Sequence, residues 1–288
     1  MQTTQNLSTD RLADAWAELQ AHADQGTPLE GAAHRLAFAD PEFLLRRETR
    51  GIRIQLEMLK PDLAQQAAGI HNTVVVYGSA RFVSQEEAEQ RMAHAQASGD
   101  ATELAKAQTL LRNAVYYEQA RAFGRLVAEY STCCAPDDQI FVCTGGGPGI
   151  MEAANRGASE AGAPTVGLNI ALPHEQGANP WVSPHLSFKF HYFAMRKMHF
   201  MMRAKALVAF PGGFGTLDEL FEVITLVQCH KAKPVPIFLF GSSYWKRLFN
   251  FEVLVEEGTI SPEDLSLITY VDDPQAVWDG IRRFYGMP

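Results

Sequence analysis

Residues Gln139–Ala161, QIFVCTGGGPGIMEAANRGASEA, decide the architecture. An apolar run, Gln139–Thr144, ends in Gly145-Gly146-Gly147-Pro148-Gly149 and passes at once into a helix-forming segment, Ile150–Ala161. That is a buried strand, a glycine-rich turn and a helix. The same order returns downstream, where Ala206–Phe210 (ALVAF) leads into Pro211-Gly212-Gly213-Phe214-Gly215-Thr216 and a helix over Leu217–His230. Further strand-like runs are Thr73–Tyr77 (TVVVY), Thr165–Ile170, Val235–Phe240 and Leu267–Val271, and Tyr192–Lys205 reads as another helix. Short all-apolar strands alternating with helices imply a parallel sheet covered on both faces. The expected fold class is therefore α/β, a doubly wound parallel sheet with helices on both sides.

Outward from this body, residues 1–70 contain no strand-like run and read as a helical extension, with residues 71–288 as the α/β domain. Phe43, Leu44, Ile52, Leu56 and Leu59 recur at roughly helical spacing, and Pro61 is expected to end or kink that helix. The proline-free stretch from Ser84 to Tyr130 is expected to be helical, broken by Gly99-Asp100 into a hairpin, with an insertion at about 84–115.

Composition narrows the partners. The 288 residues carry 25 basic and 33 acidic side chains, a net charge of −8. This balance argues against wrapping nucleic acid or docking on an anionic membrane, because neither contact gains from it. No apolar run approaches the roughly 20 residues of a membrane span, and the polar start shows no signal peptide. Cys133, Cys134, Cys143 and Cys229 form no C-x-x-C pair and read as reduced thiols of a cytoplasmic protein.

The chemistry is expected at the two glycine turns. In a parallel sheet both leave the C-terminal strand edge, where ligand crevices form. Each gathers free N–H groups and a positive helix end, which suits a phosphate. The alternative is that the glycines merely make tight strand-to-helix turns. Neither turn carries the Lys-Ser/Thr of a P-loop, and G-x-G-x-x-G/A fails at Ile150 and Asp218. Thr216-Leu217-Asp218-Glu219 also fits a capping box, so Glu219 either bonds back to the Thr216 N–H or faces the ligand. On Tyr192–Lys205, residues Tyr192, Arg196, His199 and Arg203 fall on one stripe, either a solvated face or a set of side chains reaching the crevice. No histidine spacing suggests a metal site.

Taken together, TGGGPGIMEAANRGA, VGLNIALPHEQGANPWV, FHYFAMRK and PGGFGTLDELFEVITLVQ resemble the LONELY GUY (LOG) family over roughly residues 72–285. These are Rossmann-like proteins long labelled "lysine decarboxylase-like", many of them cytokinin riboside 5′-monophosphate phosphoribohydrolases. The resemblance implies that Arg196 and Glu219 are the catalytic pair. It places Gly212, Gly213, Gly215 and Thr216 in the phosphate loop and Gly145, Gly146 and Gly147 in the first glycine turn. Gly78 and Ser79 become the first strand-end turn, and Lys197 completes the R-K signature beside the substrate. Where shorter members read M-H-x-R-K, this chain reads Phe193-Ala194-Met195-Arg196-Lys197, and its extra helices resemble the longer bacterial branch. The activity implied is hydrolysis of the N-glycosidic bond of a nucleoside 5′-monophosphate, AMP-like or cytokinin-like, to free base and ribose 5-phosphate. It requires no cofactor and no metal, and family members assemble as dimers or higher oligomers. The alternative on the same fold is a non-catalytic nucleotide sensor or carrier. No lysine stands in a pattern that singles it out for a pyridoxal-phosphate imine.

Overall fold

The structure is a computed structural model that describes residues 35–172 and 177–287, with scattered positions between 14 and 33. The helical reading of residues 1–34 falls mainly outside the described residues, as do Pro173–Gln176 of the LPHEQGANPWV stretch. The chain divides into two compact units, Met1–Leu59 and Lys60–Pro288. In the first, Asp40 accepts hydrogen bonds from the Glu42 and Phe43 amides and so caps a one-turn helix at Pro41–Leu44.

Helix α1 (Arg50–Ala67) continues past Pro61. This corrects the expectation that Pro61 ends it. Pro61 is buried, and its carbonyl accepts the Gln65 side-chain amide at 3.2 Å.

The second unit follows as β1 (Asn72–Tyr77), α2 (Gln85–Ser98), α3 (Ala101–Thr132), β2 (Ile140–Thr144), α4 (Ile150–Glu160), β3 (Val166–Ile170), β4 (Ser187–Phe190), α5 (Phe193–Met202), β5 (Ala204–Ala209), α6 (Phe214–Gln228), β6 (Ile237–Phe240), α7 (Ser242–Leu248), α8 (Glu252–Glu256), β7 (Ile268–Val271) and α9 (Pro274–Tyr285). Gly99, in the left-handed region, closes α2, and Asp100 caps α3 by accepting from the Thr102 and Glu103 amides.

The seven strands are parallel, in the order β4-β3-β2-β1-β5-β6-β7. The chain builds outward from β1 to β4, then returns to lay β5 on the other side of β1. The order reverses between β1 and β5, and in open parallel sheets ligands bind outside the carboxyl ends at such a point. In β1, Val74 and Val76 join one buried cluster with α3, α4 and α9, while Val75 and Tyr77 join another with α5 and α6. Burial on both faces is why β1 reads as an unbroken apolar run.

β4 escaped the sequence reading because Phe188 and Phe190 are buried while Lys189 between them is exposed. Its alternation is that of an edge strand, too short to stand out. Helices α3 and α4 cross with backbones nearly touching: a Cβ on Gly157 would run into the Arg121 carbonyl, and one on Gly124 into the Ala154 carbonyl.

Candidate active site

The turn after β1, Gly78-Ser79, lies on the first turn of α4. Ser79 O accepts the Ile150 amide at 3.1 Å, and a Cβ on Gly78 would sit 2.6 Å from the Ile150 side chain. Gly149, at φ 74°, lies under the Ser79–Ala80 backbone. On the other side the Ser79 amide donates to Pro211 O at 3.0 Å. The turn therefore bridges the two glycine loops.

Those loops look alike in sequence and differ in surroundings. In the first, the Gly146 amide donates to Thr144 Oγ1 at 2.9 Å, and Thr144 Oγ1 donates to Asn155 Oδ1 at 2.7 Å. Asn179 adds three bonds to this network. Its amide donates to Gly146 O, and its Nδ2 donates to Gly147 O and to Asn155 Oδ1. The glycine faces are covered too. A Cβ on Gly145 would meet Arg196 Nη2 and Met151 Sδ, and one on Gly146 would meet Asn169 Oδ1 at 2.6 Å. Glycine is needed here so that protein can approach closely.

In the second loop only Gly212 is covered, by Thr216. A Cβ on Gly213 or Gly215 would meet nothing within 4 Å. Gly213 caps α6, and no acceptor among the described residues takes its amide, while Phe214, Gly215 and Thr216 supply the first-turn N–H groups that a helix leaves free. The Phe214 side chain is 93% exposed.

The capping-box alternative is not what forms. α6 begins two residues before Thr216, and Glu219 turns to Arg196 instead, with Nη1 to Oε1 at 2.6 Å. Arg196 is not on a solvated stripe. It is 8% exposed, its Nε donates to Leu168 O at 2.6 Å, and its guanidinium lies 5.0 Å from the Phe200 ring centre. Burial pushes the Glu219 carboxyl up to about 7, with Arg196 pulling the other way and losing. Beside it, burial pushes the Cys143 thiol up to about 12, so Cys143 sits in the core as an inert thiol.

The neighbouring Lys197 is held by Glu222 at 2.7 Å and Asp218 at 3.3 Å. The hydrogen bond that Lys197 donates to Glu222 raises its pKa first, and Asp218 adds to it. Arg196 and Lys197 thus both reach from α5 to α6. The structure brings Arg196, Glu219 and Gly145 into contact and joins Gly78-Ser79 to both loops, while the Lys197 ammonium is taken by carboxylates.

Sequence reasoning missed Thr144, Asn155, Asn169, Asn179 and Tyr244. A buried Asn in the middle of IMEAANRGA was a signal for the first network; Tyr244 carried none. Among the described residues no three His, Cys, Asp or Glu side chains form a metal-ligand set, and no helix is long and apolar enough to cross a membrane.

A family model described as "Possible lysine decarboxylase" matches residues 151–281. A probable cytokinin riboside 5′-monophosphate phosphoribohydrolase of Oryza sativa subsp. japonica is 36% identical over 90 residues, 31% of this chain and 43% of its own. A cytokinin riboside 5′-monophosphate phosphoribohydrolase of Arabidopsis thaliana is 32% identical over 132 residues, 44% of this chain and 60% of its own. The chain thus spans about half the length of these curated relatives. Among solved structures, a Moco carrier protein from Chlamydomonas reinhardtii aligns over 75% of this chain and 98% of its own, with 19% identity and a TM-score of 0.44. Over its α/β body the chain is thus similar both to the family described as "Possible lysine decarboxylase" and to the cytokinin riboside 5′-monophosphate phosphoribohydrolases of the LONELY GUY (LOG) type.

Proposed function

We propose that this protein hydrolyses the N-glycosidic bond of a nucleoside 5′-monophosphate, AMP-like or cytokinin riboside 5′-monophosphate, releasing the free base and ribose 5-phosphate. The observation that carries this reading is the buried Arg196–Glu219 pair, with Glu219 one helical turn beyond the unclaimed amides of Gly213–Thr216. The names of the matched relatives support it.

The phosphate lies on the α6 amides, where the helix end favours negative charge. That remote contact fixes C1′ in the crevice. As the C1′–N bond breaks, positive charge grows on the sugar and negative charge on the departing base. The Glu219 carboxylate faces the sugar, and a pKa of about 7 lets it accept the proton of the attacking water near neutrality. The water oxygen forms the new bond to C1′, and the base leaves with the bonding pair and takes a proton from solvent. Arg196 offers positive charge to the developing anion. It does not serve as the acid, because a guanidinium holds its proton throughout the working range.

The test is chromatography of AMP, CMP and isopentenyladenosine monophosphate after incubation with the protein and with Glu219→Gln and Arg196→Ala. Each variant is expected to lose about 10²–10³ of the rate of base release. Nucleotide that binds without releasing base would instead identify a carrier or sensor. Variants that keep the full rate would remove both residues from the chemistry.

A further inference from the structure

The turn that offers its amides is held in place by a residue outside the Arg196–Glu219 pair. Strand β6 runs parallel to β5, with Leu207 opposite Ile237 and Ala209 opposite Leu239, so the two strands end side by side. Gly241, at φ 85°, turns the chain at once into α7. This places Tyr244 at the exit of β5, where its phenol donates to Gly212 O at 2.6 Å.

The ring itself is fixed. It lies edge-on to Trp245 with centres 5.3 Å apart, and the Trp245 indole N–H is bound to Phe240 O at 2.9 Å. The Tyr244 amide donates to Gly241 O at 2.9 Å. On its other side Gly212 meets Thr216, whose Cβ lies 2.7 Å from where a Gly212 Cβ would stand.

The Gly212–Gly213 peptide is trans, so the Gly213 N–H points opposite to the Gly212 carbonyl. With that carbonyl committed to the phenol, the Gly213 N–H faces away from Tyr244, and no acceptor among the described residues takes it. Burial raises the phenol pKa above its ordinary value, so the group stays a donor across the neutral range.

We propose that Tyr244 is a positioning residue for the anion-binding turn, its phenol orienting the Gly212–Gly213 peptide so that the Gly213 N–H is presented to the phosphate of the nucleotide. This deepens the reading of the site given above and rests on it. Tyr244 touches no reacting atom; it acts through the peptide it holds.

Tyr244→Phe removes one oxygen and keeps the ring that packs on Trp245. The full-length protein and this variant are compared by calorimetry with AMP and with adenosine, which lacks the phosphate, and by KM and kcat for AMP. The expected result is a rise of about 2- to 12-fold in the Kd and KM for AMP, the span one neutral hydrogen bond supports. The adenosine Kd is expected to stay at the wild-type value, and kcat for AMP to fall by no more than the KM rises. Unchanged AMP binding overturns the proposal. So does an equal loss for AMP and adenosine, which is what general loosening of the site would produce. If the wild-type protein binds AMP but releases no base, hydrolysis fails as a function while the binding comparison still decides the role of Tyr244. If it binds neither ligand, both readings fall.

Discussion

Replacing Glu219 by Gln isolates the cost of burying a carboxylate beside a single arginine. The carboxyl is pushed from 4.5 to about 7 by burial, against the pull of Arg196. Between these two values the folded chain holds a proton that the unfolded chain has lost. The contribution of Glu219 to stability is therefore fully present below pH 4.5 and is lost as the pH rises through about 7. At ~1.4 kcal/mol per pH unit the loss amounts to about 3 kcal/mol by pH 8. A glutamine does not titrate, and its Oε1 can still accept from Arg196 Nη1, so the pair geometry survives. Melting both proteins from pH 4.5 to 8 reads the difference between them. Wild type should fall relative to the variant by about 6–12 °C across that range, given ~2–4 °C per kcal/mol for a body of this size. A difference that stays constant with pH would show that the Arg196 attraction cancels burial, and one that moves in favour of wild type as pH rises that it outweighs burial. In either case Glu219 would be no base poised near neutrality.

Two further outcomes test the glycine packing. Gly145→Ala puts a methyl against Arg196 Nη2 and 2.8 Å from Met151 Sδ, both flexible ends, so the fold should survive while the guanidinium shifts. Base release should drop about 10²-fold, as for other misplacements near 1 Å, and a rate equal to wild type would refute the tight fit. Gly157→Ala drives a methyl into the Arg121 backbone carbonyl at the α3–α4 crossing and should cost about 1–3 kcal/mol, read as a lower melting temperature. An unchanged melting temperature would mean the helices separate freely.

Much of this architecture was legible because parallel strands buried on both faces show as apolar runs, as in TVVVY, ALVAF and IFLF. What escaped was whatever depended on a partner distant in sequence. Arg196 and His199 share a stripe with Tyr192, and the pattern allowed solvent there; the sheet edge instead buries both. Thr216 and Glu219 have the spacing of a capping box, but a charged partner 23 residues away takes the carboxylate. The two glycine turns offer the same grammar, and only the packed structure separates them: Arg196, Asn169 and the Ser79–Ala80 backbone cover the first, and nothing covers Gly213 and Gly215. Lys197 read as a substrate contact, and its binding by Asp218 and Glu222 follows from two helices lying side by side, which spacing within one helix does not reveal.

The Arg196 guanidinium has a mechanical meaning as well as an electrical one. Nε is bound to Leu168 on β3, and Nη1 to Glu219 on α6. β3 lies on one side of the point where the strand order reverses, and α6 follows β5, the first strand on the other side. Three nitrogens in one rigid plane therefore act as a strut across the crevice, fixing the separation of its two walls. A lysine in its place would carry the same charge on one rotatable ammonium, with no fixed spacing between its donors. Moving these two walls apart must break one of these two bonds, so the side chain that spans the site is also the one that opposes the effect of burial on Glu219.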